Sequence, residues 1–226
     1  MTEKSLGRLI TEDNQMKKQA GFTLVEIAIV MVIIGLLLGG VLKGQEIITQ
    51  AKIKNLENDF TGITAAIYSY QDRYRALPGD DSRADKRFIP EAGATIPKGD
   101  GKNGIEGEFN NTDSDTVESR IFWLHLRAAG LVDGEPSSLD QPINAFNGIT
   151  GVSSETDKIR SDQTAKKMGT YIGFSKIPVK IAIIIEARSD DSNPNDGSVQ
   201  TDKTNPDYIT GNIKDAGDIN LYFSLI

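Results

Sequence analysis

Few residues of this chain stand where their chemistry would count, and the first is a carboxylate. Glu26 sits near the start of an otherwise apolar run, residues 22–42, in the stretch Gly21-Phe22-Thr23-Leu24-Val25-Glu26. An ionised group well inside a membrane helix costs roughly 2.5–3.5 kcal/mol on insertion scales, so an acid there calls for a functional reason. Glu26 lies about one turn in from Phe22, and partial snorkelling lowers that cost without removing it. A second set is acidic: Asp190, Asp191 and Asp196 in "DDSNPNDG", and Asp215 and Asp218 in "DAGD". These are hard oxygen ligands of the kind calcium takes. A solvated, turn-rich loop accounts for the same residues, so no metal is assigned and calcium in this C-terminal acidic loop stays open. "GDGKNGIEGE" at 99–108 fails as an EF-hand loop, because aligning Gly104 with the required glycine puts Gly99 and Gly101 where carboxylates are needed. The single histidine, His125, has no cysteine to share a zinc ion with and reads as structural. No Ser/His/Asp pattern, phosphate loop or zincin motif occurs, so nothing points to an enzyme.

The elements that position Glu26 follow from hydropathy. A helix over residues 22–42 covers roughly 30 Å, about the hydrocarbon thickness of a bilayer. The run is too long for the apolar core of a cleaved secretory signal, and "GGVLKGQEI" is a poor small-x-small site. An ordinary signal anchor would explain the length but not Glu26. Lys17 and Lys18 precede the run and hold its N-terminal flank in the cytoplasm, which sends the remainder outward.

The basic pair, the glycine, then Phe22-Thr23-Leu24-x-Glu26 and the apolar helix resemble the type IV prepilin and pseudopilin family, with the motif covering residues 17–48. The resemblance implies that Gly21 ends a leader, that a prepilin peptidase cuts between Gly21 and Phe22, and that Phe22 becomes an N-methylated N-terminus. It implies that Glu26 then faces the amine of a neighbouring subunit during assembly. Such pairing would relieve the poorly solvated carboxylate and set the axial register between subunits. The implied partners are other copies of the chain or related pilins, the peptidase, an inner-membrane assembly platform and membrane lipid. The implied location is the bacterial inner membrane, single-pass, with the C-terminal domain periplasmic, and then a pilus (fimbrium) or a protein-secretion pseudopilus. Some pseudopilins hold calcium shortly before the last strand, and "AGDI" at 216–219 resembles that context loosely.

Composition agrees with an exported acidic domain. The net charge is −7, and the leader, residues 1–21, carries more basic than acidic groups. No nucleic-acid partner is expected from that balance. There is no cysteine, so the disulfide that closes the C-terminal loop of many pilins is absent, and strand pairing or an ion must serve instead. Met16 opens "MKKQAG", a compact basic leader in itself, so translation starts at Met1 or at Met16.

Past the membrane segment, Ile53, Leu56, Phe60, Ile63, Ile67, Tyr70, Tyr74 and Leu77 recur at spacings of 3 and 4, an apolar stripe on one helix face. It reads as the amphipathic continuation of the spine over residues 43–77; a two-stranded coiled coil is the alternative. "LPGDD" at 77–81 stops the helix, which would run over residues 22–76, on the order of 80 Å. Gly35, Gly39, Gly40 and Gly44 serve either local unwinding or close helix packing. Residues 78–114 read as an irregular loop. A second helix is expected at 115–129, with Asp115 and Glu118 at capping-box spacing and Gly130 as the stop. Residues 133–168 read as a polar connection, and strands are expected at 170–175, 179–187 and 218–226. The expected fold class is α+β and pilin-like: a long N-terminal helix, half transmembrane and half amphipathic, on a small antiparallel sheet within an exported domain, residues 78–226. The functional expectation is a non-enzymatic filament subunit: a pilin, minor pilin or pseudopilin. The alternative is a signal-anchored periplasmic binding domain that does not polymerise.

Overall fold

A computed structural model describes residues 21–89, 95–112, 114–159, 167–202 and 217–225. The chain divides into two compact units, Met1–Ile47 and Ile48–Ile226. The leader lies outside the described residues, except for Gly21.

The described residues of the first unit are helical from Leu24 onward. Helix α1, Leu24–Tyr74, begins in it. Every residue from 21 to 42 is exposed, and the most apolar window is long and apolar enough to cross a membrane. Large side chains such as Leu24, Met31 and Leu36 point outward all round the helix. A helix apolar on every side suits lipid or other helices rather than water.

The second unit contains the rest of α1 and everything after it. Here the stripe is a real core face. Ile53, Leu56, Ile63, Ile67, Tyr70 and Leu77 are buried, with Phe60 and Tyr74 half-buried against them. They pack on the chain's own sheet and helices, so the coiled-coil reading fails because the face is already covered. The ring of Phe60 lies 5.0 Å from that of Phe223 on the last strand. Helix α1 ends two residues before the expected stop. Arg75 takes a left-handed conformation (φ 55°) and its amide still donates to the Gln71 carbonyl at 2.8 Å.

The short helix α2 spans Ala84–Arg87 in the segment expected to be irregular, and α3 spans Glu118–Ala128. The expected capping box of α3 does not form. Val117 is its N-cap, without a side-chain bond. Asp115 instead pairs with Arg120 at 3.1 Å, and Glu118 faces another loop. The helix stop was read correctly: Gly130 (φ 67°) donates to Arg127 O and Leu131 donates to Leu126 O, the paired bonds of a Schellman motif.

Among the described residues, four antiparallel strands follow: β1 (Thr150–Ser153), β2 (Tyr171–Pro178), β3 (Val199–Thr201) and β4 (Asp218–Ser224), in the order β1-β2-β4-β3. Strands β1 and β3 fall in segments expected to be connections. The terminal strand is where it was expected, and β2 extends beyond residue 175. The segment expected to be the strongest strand, 179–187, is helix α4, Val179–Ser189. Its β-branched composition favours a strand. However, Val179, Ala182, Ile185 and Glu186 are buried while Lys180, Ala187 and Arg188 are exposed, which is helical spacing. Tertiary packing overrode propensity: α4 packs on β2, β3 and β4, and Pro178 supplies an extended residue (φ −58°, ψ 134°) immediately before it.

Polar groups lock the far end of α1. The Tyr70 hydroxyl donates to Asp81 Oδ2 at 2.9 Å, Arg83 N–H donates to Asp81 Oδ1 at 2.9 Å, and the Arg87 guanidinium pairs with the same carboxylate. His125 stacks on Tyr70 with centroids 6.2 Å apart. Its Nδ1 accepts the Gly79 amide at 2.9 Å, which leaves Nε2–H to donate to Pro97 O at 2.7 Å. Both nitrogens are used within the core, and burial holds the imidazole below its ordinary value of 6.5.

Two expectations follow. Leu56→Ala, at a site with no exposed surface, should cost about 2–5 kcal/mol. Denaturation of the full chain in detergent micelles, followed by fluorescence of the single tryptophan, measures it, and an unchanged midpoint would remove this face from the core. Because unfolded His125 takes a proton more readily than the folded residue, its contribution to stability is present above pH 6.5 and lost as pH falls toward its folded value. Proton NMR should place its titration below 6.5; a value above that would refute the neutral, doubly bonded imidazole.

Candidate functional site: the helix start and two carboxylate clusters

The start of α1 places Gly21, Phe22 and Glu26 on exposed backbone ahead of and within its first turn. Thr23 and Glu26 bond reciprocally. Glu26 N–H donates to Thr23 Oγ1 at 3.2 Å, and Thr23 N–H reaches Glu26 Oε2 at 3.4 Å. This is a capping box, with Thr23 at the N-cap and Glu26 at the third helical position. The sequence reading missed it, although Thr-x-x-Glu before an apolar run is its signature. Within one chain the carboxylate therefore has a local role: it accepts from an otherwise unpaired amide and sits at the positive end of the helix dipole.

Among the described residues, two groups of carboxylates come together in the second unit: Asp80, Asp100 and Glu118, and Glu186, Asp190 and Asp191. In the first, the loop that failed as an EF-hand wraps the acids with its amides. Asn103 N–H donates to Asp80 Oδ2 at 2.6 Å and Lys102 N–H to Asp80 Oδ1 at 3.1 Å. Asp100 N–H and Glu106 N–H each donate to Glu118 at 2.9 Å. Gly99 is required here, because a Cβ would lie 2.3 Å from the Asp80 backbone. Asp80 and Glu118 are nearly fully buried, and burial raises the Glu118 carboxyl above its usual range. These acids are loop organisers whose oxygens are already satisfied. In the sequence, Asp80 reads only as part of the helix stop at 77–81.

In the second group, Asp190 and Asp191 come from the expected acidic loop, but the third member was not anticipated. Glu186 lies in the last turn of α4 and was hidden by reading that segment as a strand. Asp196 turns its carboxylate to the Gly197 amide, and Asp218 opens β4 opposite Pro178. Asp215 lies outside the described residues. His125 joins neither group.

Residues 16–42 match the family model described as the prokaryotic N-terminal methylation motif. No curated protein and no solved structure gives a significant match to this chain. The motif indicates a structural subunit and implies processing by prepilin peptidase and assembly with other pilins. The long apolar N-terminal helix and the small antiparallel sheet have the α+β architecture of the pilin fold. The chain thus carries, at residues 16–42, the N-terminal methylation signature of type IV pilins and pseudopilins.

Proposed function

We propose that the chain is a filament subunit of the pilin or pseudopilin kind, made as a membrane-anchored precursor and assembled through its N-terminal helix. Prepilin peptidase cuts between Gly21 and Phe22, and Phe22 is then N-methylated. The helix holds the precursor in the inner membrane with its C-terminal domain in the periplasm, from which an assembly platform moves it into a pilus or pseudopilus. The observation that carries this reading is the methylation motif at 16–42 leading into a helix apolar on every side. In lipid, a single helix of this kind is satisfied; out of lipid, it needs other helices.

Glu26 changes partner in this scheme. In one chain it closes the capping box with Thr23; in the filament it faces the positive amine of the neighbouring Phe22. The exchange replaces a hydrogen bond from a neutral amide by an ion pair in a dry environment, where opposite charges attract more strongly.

N-terminal peptide mass spectrometry on membrane and sheared-surface fractions tests the pathway. A chain beginning at N-methyl-Phe22 is expected, and an intact leader in membranes alone would favour an anchored domain that never polymerises. Gly21→Ala should block cleavage, and normal processing of that variant would refute the site. Glu26→Gln retains the capacity for a capping box but lacks the charge. It should be cleaved and yet assemble poorly, whereas wild-type filaments from this variant would remove the charge pairing.

A further inference from the structure

Glu186 is a buried acid that no basic side chain meets among the described residues. It is 1% exposed, and among the described residues neither carboxylate oxygen has a hydrogen-bond donor. Buried carboxylates are normally satisfied, as Asp80 and Asp81 are here. Burying an ionised one without a partner is strongly unfavourable.

What Glu186 faces is more negative charge. One oxygen from each of Glu186, Asp190 and Asp191 lies within 4.8 Å of the others. Among the described residues, no lysine or arginine forms an ion pair with any of the three; Arg188, two residues on, bonds to Gln50 instead. The group also sits at the C-terminal end of α4, where the helix dipole is negative and favours a cation. Burial, together with the Asp190 and Asp191 charges, pushes the Glu186 carboxyl up to about 8.

The surrounding loop holds the acids in place. The Val199 amide donates to Asp190 Oδ2, and the Asn193 amide to Asp191 Oδ1, both at 2.8 Å. Gly197 (φ 84°) lies so close to the Asp190 carboxylate that a Cβ there would fall 2.1 Å from Oδ2. Each aspartate is thus anchored to the loop through one of its oxygens.

We propose that Glu186, Asp190 and Asp191 form a binding site for a hard divalent cation of the calcium class, joining the end of α4 to the loop that leads into β3. Calcium bonds oxygen at about 2.3–2.6 Å, so oxygens on opposite sides of one ion stand up to about 5 Å apart, and the observed spacing lets one ion touch all three. All the ligands are oxygens and the loop is irregular, which suits calcium better than magnesium with its strict octahedron. The ion supplies the positive charge that Glu186 lacks and ties the helix end to the edge of the sheet.

The test uses the full chain in detergent micelles, stripped with a chelator and titrated with calcium chloride at pH 7.5. Calorimetry should show one saturable site, with Kd on the order of 10⁻⁴–10⁻³ M as in extracellular calcium modules. Thermal unfolding should move upward as the site fills. Glu186→Gln and Asp191→Asn should each weaken binding at least about tenfold. Should Glu186→Gln fail to fold, Asp191→Asn, on an exposed residue, decides alone. No saturable binding up to about 10 mM would overturn the proposal and leave Glu186 neutralised by a proton. Wild-type affinity in a folded Glu186→Gln or Asp191→Asn variant would overturn it as well.

Discussion

One helix has to satisfy two solvents. In its first half α1 is apolar on every side and no residue from 21 to 42 is covered. From Ile53 onward only one face is apolar, and that face is buried by the chain itself. The rest of the domain can be read as the cover for that stripe. Phe223 meets Phe60, Trp123 and Phe122 of α3 join the same core, and α4 closes it through Ile181, Ala182 and Ile185. Among the described residues the first half has no such cover, and its all-round apolar surface suits lipid or other helices.

Charge is handled in the same economical way. A carboxylate at the head of an apolar helix is tolerable because it caps the helix it belongs to, through Thr23. On the proposed function, that local satisfaction holds the acid until the amine of a neighbouring subunit replaces it. A residue with two possible partners is what a switch between a lipid-solvated precursor and an assembled fibre requires.

Without cysteine, the domain ties its long loops together by buried and half-buried carboxylates that collect backbone amides. Asp80 and Glu118 gather residues 100–106, Asp81 ties the end of α1 to α2, and Asp190 holds the turn before β3. Each of these bonds to a charged group contributes about 1.5–3 kcal/mol. Glu186 stands apart from this pattern, since it is buried and among the described residues neither of its oxygens has a donor.

By itself the sequence determined the membrane-length apolar run, the motif around Gly21 and Glu26, the stripe from Ile53 to Leu77, the helix stop at Gly130 and the terminal strand. All of these are local: each depends on the spacing of residues within a few turns, and spacing is visible in the chain. Tertiary structure decided the rest. Residues 179–189 have strand-like composition, yet they form a helix because their buried positions face β2, β3 and β4, a neighbourhood no local window contains. Strands β1 and β3 are short and take their identity from the partners they pair with, β2 and β4. The carboxylate clusters were illegible for the same reason. Asp80 meets residue 103, and Glu186 becomes a neighbour of Asp190 and Asp191 only when its segment winds as a helix. Local chemistry can be read from order along the chain, whereas burial and long-range pairing exist only once the chain has folded.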